Sequence, residues 1–75
     1  MDIADVTIHV DETVDHDARV QIVENLKACD GVTDVISGDA KPHVMIVKFN
    51  PAAITSKELL KSVLDSGVHA QLIGL

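Results

Sequence analysis

Twice in this chain a segment of helical periodicity runs into a Gly-Val pair and passes straight into an extended run, at Gly31-Val32 and at Gly67-Val68. A glycine just past the last helical turn takes the left-handed conformation that closes the helix without a Cβ clash. A β-branched residue directly behind it favours a strand. Each junction also lies downstream of a strand-like run, so the chain divides into two strand–helix–strand halves. Two such halves within 75 residues, joined by right-handed crossovers, leave few topologies. The expectation is an α+β chain forming a ferredoxin-like βαββαβ sandwich as a single domain over residues 1–75. Its four-stranded antiparallel sheet has the order 4-1-3-2, with both helices on one face.

The individual elements follow from local pattern. Ala4, Val6, Ile8 and Val10 alternate with Asp5, Thr7, His9 and Asp11, which marks a first strand over Ala4–Val10 with one buried face. Asp15 is placed to cap the first helix, and Asp17 falls in the first turn, where the helix dipole favours an acid. The helix is expected to reach Cys29, with Ile22, Val23, Leu26 and Cys29 as its apolar stripe and Arg19, Gln21, Glu24, Asn25 and Lys27 on the wet side. Val32–Ile36 reads as a second strand. A stretch dense in turn formers, Ser37 to Pro42, leads to a third strand over His43–Phe49. Asn50-Pro51 breaks that strand. Thr55-Ser56-Lys57-Glu58 is a capping box flanked by Ile54 and Leu59 as a hydrophobic staple, which makes the second helix start the best-specified boundary in the chain. Val68–Ile73 is the last strand.

Composition narrows the function classes. One Phe and no Tyr or Trp among 47% hydrophobic residues require an aliphatic core. A net charge of -6 argues against nucleic acid as a partner, because phosphates would repel it. The lone Cys29 has no internal disulfide partner and suits a reducing compartment. Met1 leads directly into Asp2 and Asp5 with no basic or apolar leader, so a cytoplasmic protein without membrane insertion is expected.

Three segments carry a resemblance. Leu26 followed by Asp30-Gly31-Val32, then Val47-Lys48-Phe49-Asn50-Pro51, and finally Ser66-Gly67-Val68-His69-Ala70-Gln71-Leu72 together resemble the heavy-metal-associated domain, the fold of small copper and mercury chaperones and of modules in metal-pumping ATPases. The likeness spans nearly the whole chain and implies the same sandwich and a role in metal trafficking. In that family the first loop reads G-M-x-C-x-x-C, and its two thiolates hold a soft ion. Counting back from Leu26 and Gly31 places those cysteines at Asp15 and Ala18, and the Gly-Met at Glu12-Thr13. Both thiols are missing. Cu(I) and Hg(II) are selected by polarisable thiolates, which a carboxylate and an alanine do not replace, so Cu(I) is not expected as cargo. A borderline divalent ion such as Zn(II), Ni(II) or Cu(II) remains compatible with His and Asp.

In the expected sheet the end of the first strand lies beside the starts of the third and fourth. His9, His43 and His69 therefore gather at one pole with His16, in the loop above them. The core of a non-thiolate site would be His16 with Asp15 or Asp17, with His9 or His69 as a further ligand. By strand parity His9 and His69 are cross-strand neighbours on the open face, and His43 points toward the helices. The acidic run Asp11, Glu12, Asp15 and Asp17 lacks the alternating oxygen ligands and central glycine of an EF-hand loop. It serves to solvate the pole or to meet a basic partner. Cys29, at helical spacing from Leu26 and Ile22, reads as core.

The competing reading is a metal-free interaction or regulatory module. Val44, Ile46, Ile73 and Ile36 are expected on the open sheet face as an aliphatic patch suited to a protein partner or a homodimer. Neither reading is an enzyme: the sequence offers no nucleophile–base pair and no phosphate-cradling glycine loop.

Overall fold

The computed structural model describes residues 2–73. Its elements run β1 (Ala4–Val10), α1 (His16–Lys27), β2 (Val32–Ile36), β3 (Val44–Phe49), α2 (Ser56–Leu64) and β4 (Ala70–Ile73). The strands form one sheet in the order β2-β3-β1-β4, every pair antiparallel, which is the expected 4-1-3-2 order read from the other edge. The fold is the ferredoxin-like βαββαβ sandwich.

Alternation along the strands decides which face the helices cover. Val6, Ile8 and Val10 on β1 and Met45, Val47 and Phe49 on β3 are buried, and they meet Ile22 and Leu26 of α1 and Leu59 and Val63 of α2. Each of these apolar side chains contributes roughly 1.5–3 kcal/mol by leaving water, and no buried side-chain N or O lacks a hydrogen-bond partner among the described residues. Strand β2 would break the pattern if it were regular, because Val32 and Val35 are an odd number of residues apart and would face opposite ways. A bulge between Val32 and Asp34 shifts the register, so both turn toward the core and Ile36 falls on the open face.

Both Gly-Val junctions behave alike. Gly31 and Gly67 have φ of +97° and +90°. At Gly31 the chain also passes so close to the β3–α2 connection that an added Cβ would lie 2.8 Å from the Ala53 Cβ. Here the Asn50 N–H donates to the Gly31 carbonyl over 2.7 Å and locks the two crossovers together. The Thr55 capping box is complete: the Glu58 N–H donates to Thr55 Oγ1, and the Thr55 N–H to Glu58 Oε1.

Three boundaries move inward from their expected positions. Helix α1 ends at Lys27, and Cys29 lies half-buried beyond it, its thiol facing the Asn25 carbonyl. Strand β3 begins at Val44 rather than His43, and β4 at Ala70 rather than Val68. The carbonyls of His43 and His69 still accept single hydrogen bonds, from the N–H groups of Val10 and Asp11 respectively, both over 2.8 Å. Pairing continues there as isolated bonds after the ladder has stopped. No helix among the described residues is long and apolar enough to cross a membrane.

Candidate metal-binding pole

The end of β1, the end of β2 and the starts of β3 and β4 share one pole, and α1 begins above it. All four histidines lie there, as the topology requires. The structure does not bring them to one point. Each imidazole has its own partner, and in every case the engaged atom is Nδ1.

His16 sits at the first helical position, but its neighbours are not Asp15 or Asp17. The Asp15 carboxylate is used as the N-cap and accepts from the Ala18 N–H over 2.8 Å. Asp17 is exposed in the first turn. His16 Nδ1 instead lies 3.1 Å from Arg19 Nη2 and 3.3 Å from Asp39 Oδ1. It either accepts from the guanidinium or donates to the carboxylate. Both arrangements commit the atom, and the first sets a permanent cation against it. The expected His16–Asp15–Asp17 group thus does not converge.

Arg19 is the residue that sequence reasoning missed. Assigned to the wet side, it is in fact only 6% exposed. Its guanidinium donates to Ser37 Oγ over 3.0 Å through Nη1 and to Asp39 through Nη2, tying α1 to the turn after β2. Hydrogen bonds from His16 and then Arg19, with the guanidinium charge, hold the Asp39 carboxyl below its usual range. A signal was present. Positions 19, 22, 23 and 26 are i, i+3, i+4 and i+7, so Arg19 completes the apolar stripe, and an arginine can bury its stem there while its fork finds acceptors.

His69 is paired with Glu12. The His69 backbone N–H donates to both carboxylate oxygens, at 2.8 and 3.1 Å, and its Nδ1 donates to Glu12 Oε2 over 2.6 Å. The contact pushes His69 above its ordinary value and pulls Glu12 below its own, chiefly through the side-chain hydrogen bond. His69 does not stand opposite His9: the cross-strand partner of His9 is Gln71. His9 turns Nδ1 to Asp11 Oδ1 at 3.2 Å.

His43 corrects the parity argument. Lying just outside β3, it does not follow the strand alternation toward the helices. Its Nδ1 donates to the Val10 carbonyl over 2.8 Å, and its ring lies beside that of His9, centroids 5.8 Å apart and planes within 18° of parallel. Among the described residues no three His, Cys, Asp or Glu side chains come together closely enough to hold an ion between them.

The open face carries the expected apolar residues. The register aligns Ile36, Ile46, Thr7 and Ile73 in one row across all four strands. Ile36 and Ile73 are 47% and 41% exposed at its two ends.

The fold is that of the heavy-metal-associated domain. Oxidized MerP from Ralstonia metallidurans CH34 superposes with a TM-score of 0.86 at 18% identity, over 97% of this chain and 100% of that one. The N-terminal domain of a potential copper-translocating P-type ATPase from Bacillus subtilis, in its Cu(I)-loaded state, gives 0.86 at 18% identity over 97% and 90% of the two chains. The copper chaperone of Enterococcus hirae, in its apo form, gives 0.80 at 22% over 91% and 98%. No protein-family model and no curated protein matches the sequence.

Proposed function

We propose that this chain is a small non-catalytic domain of metal handling that carries a borderline divalent ion on imidazole nitrogen instead of Cu(I) on thiolates. The observation that carries this reading is the content of one pole. Four imidazoles and five carboxylates (Asp11, Glu12, Asp15, Asp17 and Asp39) surround the loop in which the two thiolate positions of the metal-trafficking fold are Asp15 and Ala18. Neutral imidazole suits Zn(II), Ni(II) and Cu(II), and the surrounding negative charge favours any cation. The fold shared with copper and mercury proteins supports the role, and the chemistry of the donor set changes the cargo. The same acidic pole suits a basic docking surface on a partner that gives or receives the ion. The lone half-buried thiol agrees with a reducing, cytoplasmic setting.

The test is titration of Zn(II), Ni(II) and Cu(II) into 15N-labelled protein at neutral pH, with Cu(I) offered in competition with a chromophoric chelator. Divalent ions should shift amides of the pole, centred on His9, His16, His43 and His69, and Cu(I) should stay with the chelator. Silence at millimolar divalent metal would overturn the reading. The alternative of a metal-free module that dimerises through its sheet is favoured by the Ile36–Ile46–Ile73 row. It predicts a rotational correlation time that rises with protein concentration in the same samples.

A further inference from the structure

We infer that His9 and His43 together form a two-imidazole site for a divalent borderline ion, at the open-face edge of the pole and away from the loop that holds the ion in thiolate relatives. The inference rests on the metal-handling reading above and names where the ion sits. Three observations carry it.

The first is spacing. An ion bound at about 2.0–2.1 Å from an imidazole nitrogen lies roughly 3.2 Å from that ring's centre. Two rings sharing one ion therefore have centres about 5.2 Å apart at a tetrahedral angle and about 6.4 Å apart when opposed. The observed separation is 5.8 Å. The two rings are stacked with planes within 18° of parallel, and bringing both Nε2 atoms onto one ion takes a turn about each terminal torsion, which is broad for histidine, with the Nδ1 contact as pivot.

The second is orientation. A metal-binding imidazole typically gives its other N–H to a carboxylate or a backbone carbonyl, which fixes the tautomer and aims the free nitrogen. Both forms occur here. His43 Nδ1 donates to the Val10 carbonyl over 2.8 Å, and His9 Nδ1 faces Asp11 Oδ1 at 3.2 Å. A carbonyl only accepts, so the proton of neutral His43 is on Nδ1 and the lone pair is on Nε2.

The third is access. Both rings are half-buried, yet neither Nε2 has a hydrogen-bond partner among the described residues, and no buried side-chain nitrogen there is left unpaired. Both free nitrogens therefore reach solvent. His16 differs, because a guanidinium lies against it. His69 differs too, as an exposed side chain tied to Glu12. With only two protein nitrogens on offer, water would complete the coordination and the ion would exchange readily, as cargo must.

The experiment titrates ZnCl2 into the wild-type chain with 15N-labelled histidine side chains, observing Nδ1 and Nε2 of all four rings. It also compares Zn(II) affinity in His9→Gln, His43→Gln and His16→Gln. The Nε2 signals of His9 and His43 should move together, with one stoichiometric ion. Each of the first two variants should weaken binding by about tenfold or more, at least the scale on which outer-sphere partners of a metal already count. His16→Gln should bind as wild type. The nitrogen spectra of the unmodified chain decide the matter even if His43→Gln loosens the sheet. Zinc that moves only His16 or His69 would overturn this site and leave the metal-handling reading standing, whereas zinc that moves no imidazole would overturn both.

Discussion

The two helix starts lie at opposite poles of the sheet and are built differently. At α2 the backbone donors are met within four residues by the reciprocal Thr55–Glu58 box, with Ile54 and Leu59 packed beneath as a staple. At α1 one carboxylate, Asp15, meets one N–H, and the rest of the pole is held by contacts between residues far apart in sequence: Arg19 with Asp39, Glu12 with His69, His43 with Val10. The first pole is fixed by that box and by the Asn50–Gly31 hydrogen bond between the two crossovers. The second holds its polar groups in pairs that water can reach. Under the proposed function, one end of a very small domain offers the donor groups while the other secures the fold.

The largest effect should come from disturbing the structural pole. Gly31→Ala combines a residue forced to positive φ with a Cβ driven against Ala53, and should cost roughly 2–4 kcal/mol in denaturant unfolding. Gly67→Ala, with equal φ but open space around it, should cost only the conformational part, about 1–2 kcal/mol. If the two variants prove equally damaging, the close crossover at Gly31 is not what secures that end. Next in size is Arg19→Ala at the other pole. It removes a buried fork that joins α1 to the turn after β2, and should lower stability by about 1.5–3 kcal/mol. A cost near zero would mean the guanidinium only decorates the surface. Thr55→Ala should cost about 1 kcal/mol and leave Zn(II) binding unchanged, which separates the two poles directly.

How much of this was legible in the sequence follows the same division. The alternation of Val6, Ile8 and Val10, the glycines at 31 and 67 and the Thr55 box specify their surroundings locally, so element order, sheet order and buried face could all be read. The bulge at Val32–Asp34 could not, since it depends on where β3 lies. At the α1 pole the gathering of histidines followed from topology, whereas their partners did not. A hydrogen bond from His69 to Glu12, 57 residues away, leaves no trace in spacing. Arg19 was misplaced because its charge outweighed its position on the stripe.

The smallest effect, and the finest test of the pairs at the histidine-rich pole, is the pH response of Glu12 and His69. The contact raises the pKa of His69, so its contribution is complete below the ordinary value of 6.5 and is lost as pH rises through the raised value. Glu12 is lowered, so its contribution is complete above the ordinary value of 4.5 and is lost as pH falls through the lowered one. The loop after β1 should therefore be held most firmly to the start of β4 between about pH 4.5 and 6.5. An NMR titration should place His69 above 6.5, and Glu12→Gln should bring it back toward that value. No displacement in the wild type would show that the pair does not persist in solution.

The double contact between His43 and Val10 has one more consequence. The imidazole adds a final rung to the ladder where backbone pairing ends, and the same ring faces His9. A substitution that discards this side chain removes that rung and leaves the backbone bond from the Val10 N–H to the His43 carbonyl to close the strands alone. The position of this imidazole is therefore coupled to the closing of the central strands, so a probe of the ring also reports on the end of the ladder.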